Sequence, residues 1–348
     1  MAGEFSKTSV KPLFTLALAT TLALSAQQDQ DFKLSVRSNL VFLPTRVQTK
    51  HGETIHGLRP EQFIVEDNGV RRPIKLEDDP DSSPGLSLTV LVQCSRSAST
   101  EFNKLKGLPA MIEAIVGDAP HEVAVISYGT ISRVQADFSS DSEAARIALA
   151  RLKACDDNNA ASIDAVYHAI SMLQQRQNRY RRAILLIGET RDHGSRSKLQ
   201  QVVAELGITD TMIYTVAFSP TRDEFINGMR YGNHPPPPPT AETEPSITEP
   251  TPLFALPPQI TPIVNALRRN TASELASLSG GEYMNFTTQR GFDNGLQRIA
   301  NQIHNYYLLS FQPPSAQTPG LHSLQVRVPE YPDAVIQTRK SYWSGIFQ

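Results

Sequence analysis

Two serine hydroxyls, Ser95 and Ser97, stand two residues apart just after the uncharged run Leu88-Thr89-Val90-Leu91-Val92, with Gln93 and Cys94 between. Hydroxyl oxygens at that spacing suit a hard cation, which takes oxygen ligands, or a partner protein read by hydrogen bonds. A run of apolar and β-branched residues without charge reads as a strand buried on both faces of a parallel sheet. The polar break then falls at the strand's C-terminal end, where open α/β sheets place their ligand sites. Two later loops add Asp156 and Asp157, then Glu189, Asp192 and His193, and Cys94 and Cys155 are the only cysteines.

Catalytic sets are missing from the pattern. There is no His-Glu-x-x-His, no Gly-x-Ser-x-Gly and no phosphate-cradling glycine loop after a strand. The eight histidines are scattered, and His193, with no evident orienting partner, reads as a solvated loop residue. The chain is therefore expected to be non-enzymatic. A formal net charge of −2 gives no electrostatic argument for nucleic acid or an anionic membrane. The 348 residues suit two domains.

At the N-terminus, Lys7 and Lys11 precede an apolar run over 13–24, followed by the small residues Ser25 and Ala26. These are the parts of a secretory signal over 1–26, and the run is short for a membrane span. The expected destination is secreted, periplasmic or cell envelope. That compartment permits disulfides, and two cysteines allow at most one within the chain.

The elements that must carry these groups follow from the pattern. Residues 32–79 read as β. Pro44 in the strand at 40–47 favours an edge or bulge, and Asp67-Asn68-Gly69 is a hairpin signal because such tight turns need positive φ. A Pro/Ser linker covers 79–85. From residue 86 strands and helices alternate: a strand at 87–93, a helix over 100–116, and strands at 123–128 and 132–138. A capping box at Ser140-Asp141-Ser142-Glu143 opens a helix to Leu152. Ser162 caps the next helix, whose inward face holds Ile163, Val166, Tyr167, Ile170 and Leu173. A strand at 182–187, a helix near 195–206 and a strand at 211–218 follow. Such alternation predicts a mostly parallel sheet with helices on both faces.

Residues 233–262, with five successive prolines and a Thr/Glu/Pro tract, read as an extended, disordered insert. Helical patterning returns at 263–278, closing on Gly280-Gly281. A short strand at 283–286, a helix over 293–304 and strands at 306–311, 323–328 and 334–338 complete the chain. The expected domains are an N-terminal β domain at 32–79, an α/β domain at 86–305 and a C-terminal β segment at 306–343. The last packs on the first, so the α/β domain is inserted into a discontinuous, sandwich-like all-β domain.

With loops 93–97, 156–162 and 188–194 meeting at the sheet's C-terminal edge, the chain resembles the von Willebrand factor A (VWA) domain. That family carries Asp-x-Ser-x-Ser on its first loop, a Thr on the second and an Asp on the third. Together they hold a divalent cation, usually Mg²⁺, whose open position takes a carboxylate from a protein ligand. The resemblance extends to one branch of that family, exported bacterial proteins of acidobacterial type. Gly57-Leu58, Phe63-Ile64-Val65-Glu66-Asp67 and Asn68-Gly69 match that branch's N-terminal module. Tyr307-Leu308-Leu309-Ser310-Phe311-Gln312-Pro313-Pro314, Gly320-x-His322 and Arg339-Lys340-Ser341-Tyr342-Trp343 match its C-terminal end.

The resemblance implies a VWA-type doubly wound sheet. It also implies a metal-ion-dependent adhesion site (MIDAS) at Gln93, Ser95, Ser97 and Glu189, with Ala160 at the Thr position counted back from Asp164-Ala165. One carboxylate and one hydroxyl are lost, so the site is degenerate, and weak or no binding of Mg²⁺, Mn²⁺ or Ca²⁺ is expected. No other cofactor is implied. Asp156, Asp157 and Asp192 are possible replacement ligands, and with Arg96 and His193 they would line the ligand-binding loops. In this fold the first two loops are neighbours, so a Cys94–Cys155 disulfide is expected, two buried thiols being the alternative. The function implied is an exported protein-binding or adhesion module. The alternative is a structural part of an envelope or secretion assembly without metal dependence.

Overall fold

The computed structural model describes residues 40–77, 85–198, 202–203, 205–206, 209–218, 261–314 and 320–344. The signal segment and all but the last two residues of the proline-rich insert lie outside them. In chain order the strands are β1 (Val41–Gln48), β2 (Ile64–Asp67), β3 (Val70–Arg72), β4 (Lys75–Leu76), β5 (Leu86–Gln93), β6 (His121–Tyr128), β7 (Ser132–Ser139), β8 (Arg181–Glu189), β9 (Met212–Phe218), β10 (Tyr283–Asn285), β11 (Tyr307–Phe311), β12 (Gly320–Arg327), β13 (Val335–Gln337) and β14 (Ser341–Ser344). Among the described residues the helices with described bounds are α1 (Leu108–Val116), α2 (Ser142–Arg151), α3 (Ser162–Gln174), α4 (Thr261–Arg269), α5 (Thr271–Ser279) and α6 (Gln289–Gln302), and residues 202–203 and 205–206 are also helical.

Every residue of β5 is buried, as its uncharged run requires. Leu88, Val90 and Val92 join one core with α1, α2 and α6, while Leu91 joins a second core with α3, α4 and α5. Each such side chain contributes about 1.5–3 kcal/mol when fully buried. The six-stranded sheet has the order β10-β9-β8-β5-β6-β7. All its neighbours are parallel except β6 and β7. From β5 the chain moves outward to β6 and β7, then returns across β5 to β8 and β9. The order therefore reverses between β5 and β8, and the crevice beyond their C-terminal ends is the place such sheets offer to ligands.

Two antiparallel four-stranded sheets, β13-β1-β11-β4 and β14-β12-β2-β3, each combine strands from before and after the α/β region. Leu43, Val65, Leu309, Phe311 and Val326 belong to the one core these sheets share. The fold is thus an α/β unit with helices on both faces, placed in chain order between the segments that pair into two antiparallel sheets sharing one core. Pro44 pairs with Leu308 on β11, while β13 reaches only Arg46 to Gln48 on the other side of β1, so the missing N–H disturbs no second ladder. Asn68 and Gly69 take φ of 49° and 78°, the turn that their types require. Fully buried Arg339 donates to the carbonyls of Leu206 and Thr209 at 2.8 and 3.0 Å. Burial pushes its pKa down to about 10, against the favourable charge of Asp210, so it remains a cation at neutral pH. No helix among the described residues is long and apolar enough to cross a membrane.

Several local expectations change. The helix over 100–116 starts at Leu108, after two 3-10 turns at Arg96–Ala98 and Glu101–Lys104. Pro109 lies in its first turn, where a missing N–H costs nothing. The cap of α2 is Asp141, whose carboxylate accepts from the Glu143 N–H, rather than a box from Ser140. Tyr167 is exposed. Asn270 splits the helical stretch at 263–278 in two and caps α5 through the Ser273 N–H, because a short amide competes with the helical backbone. Thr288 likewise starts α6 at Gln289 instead of 293. Residues 261–262 begin α4 rather than ending the insert.

Candidate functional site

The last residue of β5 is Gln93, and its side chain reaches across to the end of β8. The backbone N–H of Glu189 donates to Gln93 Oε1 at 2.7 Å. An N–H can only meet an acceptor, so this contact fixes which way the amide faces. Gln93 Nε2 is thereby turned toward Ser95 Oγ at 2.7 Å, Ser97 Oγ at 3.1 Å and Glu189 Oε1 at 2.9 Å. The two serine oxygens lie 3.0 Å apart. Gln93, Ser95 and Glu189 are buried, so these contacts form away from water. Gly188 permits the approach: a Cβ there would fall 2.0 Å from Tyr128 Oη and 2.8 Å from Gln93 Oε1. Burial, reinforced by the charges of Glu189 and Asp192, pushes the Tyr128 pKa well up, so its hydroxyl stays neutral.

Three further ties join the loops. Cys94 and Cys155 form a disulfide with their Cα atoms 5.1 Å apart. Beside it, Cys155 N–H donates to Cys94 O and Arg96 N–H to Asp157 O. Ala160 and His193 exchange both backbone hydrogen bonds at 2.9 Å, joining the second loop to the third. Asp192 Oδ1 accepts from Ile163 N–H at 3.0 Å and from the hydroxyls of Ser162 and Ser195 at 3.1 and 2.6 Å. The carboxylate capping α3 therefore comes from another loop; Ser162, expected to be the cap, is instead a donor to it. Asp164, in the first turn of α3, accepts the N–H groups of Arg196 and Ser197. Burial pushes its carboxyl up, but these hydrogen bonds, the Ser197 hydroxyl and the Arg196 charge outweigh it and leave the pKa low.

The structure brings Gln93, Ser95, Ser97 and Glu189 into one cluster and sets Ala160 in the neighbouring backbone bridge. The other residues singled out in the sequence do different work. Asp192 is occupied by the α3 N-terminus. Asp157 accepts from Thr130 N–H at 3.0 Å and pairs with Arg133 at 3.8 Å. Asp156 is fully exposed and lies 3.8 Å from Arg96. His193, half-exposed, does have a partner: Nε2 is 3.3 Å from Glu189 Oε2. Arg96 and His193 thus form an accessible rim around a buried centre.

A divalent cation in this centre would need oxygen lone pairs directed at it, at about 2.0–2.1 Å for Mg²⁺. Gln93 directs N–H protons at the very oxygens that would serve, and residue 160 offers only a methyl group. The residues do not fit a cation here. Among the described residues no group of three or more His, Cys, Asp or Glu is arranged to hold a metal. Sequence reasoning missed the amide's orientation and the Asp192 cap. The one available signal was Gly188 inside an apolar strand, which marks close approach of another group.

No family model matches the chain, and no curated protein matches it. Solved structures similar to it include an aerotolerance-related membrane protein from Bacteroides fragilis, at 13% identity over 63% of this chain and 100% of that one, with a TM-score of 0.40. The VWA domain of SpRpn10 is 14% identical over 39% of this chain and 76% of that one, with a TM-score of 0.32. Proximal thread matrix protein 1 from the mussel byssus, with a zinc-occupied MIDAS motif, is 9% identical over 66% of this chain and 48% of that one, with a TM-score of 0.41.

Proposed function

We propose that this chain is an exported, non-enzymatic VWA-type module that binds a protein ligand at the C-terminal edge of its central sheet. The observation that carries the reading is the convergence of three cross-tied loops beyond the β5–β8 crevice, with Arg96 and His193 on an accessible rim. Loops held rigidly on a sheet lose little entropy when they dock. Residues 86–305 would form the binding domain, and the β domain from 32–79 and 306–343 its support. Export rests on the segment at 1–26. The exported bacterial branch is favoured by the motifs at 57–69 and 307–343. The metal-ion-dependent adhesion site would be degenerate, with Gln93, Ser95, Ser97 and Glu189 as its remnant.

The test is quantitative capture from the producing organism's envelope fraction by immobilised wild-type chain and by Arg96→Glu/His193→Ala. We expect the wild type to retain a partner that the double variant loses. Equal capture by both would overturn the reading. It would favour instead a structural part of an envelope or secretion assembly that makes its contacts through the β-sandwich.

A further inference from the structure

We infer that the side-chain amide of Gln93 takes the place of a divalent cation at the meeting point of the three loops, so that the site is permanently closed and assembles without metal. A cation joins such loops by drawing oxygen lone pairs from each to one point. Here the two N–H protons of one nitrogen, one of them shared between the neighbouring serine oxygens, draw Ser95 Oγ, Ser97 Oγ and Glu189 Oε1 from two loops to distances of 2.7–3.1 Å. Its own carbonyl is pinned by the Glu189 N–H, so the amide cannot turn to offer oxygen to an ion without stranding that donor. A buried unsatisfied donor costs about 1–3 kcal/mol.

The charges agree with this replacement. An amide group brings only a partial positive charge, so a second carboxylate beside Glu189 would be left unbalanced in a buried setting. Among the four side chains of the centre only Glu189 carries a formal charge. The hydroxyls fit too. Ser95 is fully buried, and its side-chain contacts are Gln93 Nε2 and Ser97 Oγ. Since Nε2 is the donor in the first, the Ser95 proton points to Ser97. The Ser97 proton is then turned outward, and this partly exposed hydroxyl is the donor the centre offers to a ligand's acceptor group. The Cys94–Cys155 disulfide and the Ala160–His193 bridge supply the remaining links between loops.

This inference deepens the proposed reading of the edge, but its test reads the protein alone, so its failure and the absence of a ligand are separable. The probes are Mg²⁺ and Mn²⁺ themselves, applied to the full chain in millimolar excess or replaced by chelator. Melting is followed thermally and Mn²⁺ binding by electron paramagnetic resonance. The wild type should melt at one temperature in all conditions and bind no stoichiometric Mn²⁺. Gln93→Glu sets a second carboxylate against Glu189. It should melt several degrees lower in chelator, recover with Mn²⁺, and bind Mn²⁺ at least tenfold more tightly than the wild type. Stoichiometric Mn²⁺ on the wild type, abolished by Ser97→Ala, would overturn the inference. So would a Gln93→Glu protein as stable as wild type in chelator and indifferent to Mn²⁺. If Gln93→Glu fails to fold, the wild-type measurement still decides. Gln93→Met, equal in length but without the amide, should then be destabilised and equally blind to cations; wild-type stability in Gln93→Met would also overturn the inference.

Discussion

At the N-terminal ends of its strands, the central sheet meets a buried and a partly buried carboxylate with guanidinium groups. Glu122, at the start of β6, takes two hydrogen bonds from Arg176 and one each from Ser87 and Asn178. Asp210 pairs with Arg182 at the start of β8, and Arg181 donates to the carbonyls of His304 and Tyr306. Burial pushes the Glu122 carboxyl up, yet the bonds from Arg176, Ser87 and Asn178 and the Arg176 charge hold it below its usual range. At the opposite ends, Glu189 meets an amide and a half-exposed imidazole, and the loops are joined by a disulfide and backbone bonds. One end cancels charge with charge, which stabilises without leaving anything for a ligand to satisfy. The other end is held by a disulfide, by backbone bonds and by carboxylates that accept mostly from N–H and hydroxyl groups, and Arg96, His193 and the Ser97 hydroxyl remain accessible at its rim.

That contrast can be broken in three places. The largest effect is expected from removing the disulfide. Cys94→Ala/Cys155→Ala opens a link across 61 residues and should lower unfolding free energy by about 2–4 kcal/mol, measured by denaturant titration. A loss under about 1 kcal/mol would mean that hydrogen bonds alone hold the loops.

Next comes the charged end. Glu122→Ala leaves Arg176, Asn178 and Ser87 without their shared acceptor and should cost about 2–3 kcal/mol. Its pH signature has a definite sign. The folded-state pKa of Glu122 is depressed, so its stabilisation is complete above the unfolded carboxylate range near pH 4.3 and is lost as pH falls through the lower folded value. Glu122→Gln should therefore lose less stability than wild type between neutral and acidic pH. Parallel acid titrations of the two proteins would sink this assignment.

The smallest effect on stability belongs to the rim. Arg96→Ala and His193→Ala should each change unfolding free energy by less than about 0.5 kcal/mol, read in the same titrations. A loss well above that would move these residues from the ligand-facing rim into the structural centre.

Much of the fold could be read before the structure. The uncharged run at 88–92, the strand–helix alternation and Asn68-Gly69 each carry a local physical signature, and β5, the parallel sheet and the hairpin follow them. Helix boundaries were less legible because capping depends on which oxygen lies nearby. Asp141 and Thr288 act locally, but α3 is capped by Asp192, which comes from a different loop. Tyr167 kept the helical spacing of a core residue and still faces outward, since periodicity does not say how wide the covered stripe is. At the candidate site the residue types were visible and their arrangement was not.

The chain's order of residues alone determined that Gln93, Ser95 and Ser97 would follow a doubly buried strand, and that residue 93 would bring an amide and residue 160 only a methyl group. Both are properties of local composition and spacing. Only the tertiary structure decided what that amide meets. Which face of an amide points inward depends on a backbone N–H contributed by a strand nearly a hundred residues away, and no local pattern encodes a donor at that distance. The same holds for Cys94 and Cys155, whose pairing needed the chain to cross from β5 to the second loop before their Cα atoms could come within 5.1 Å.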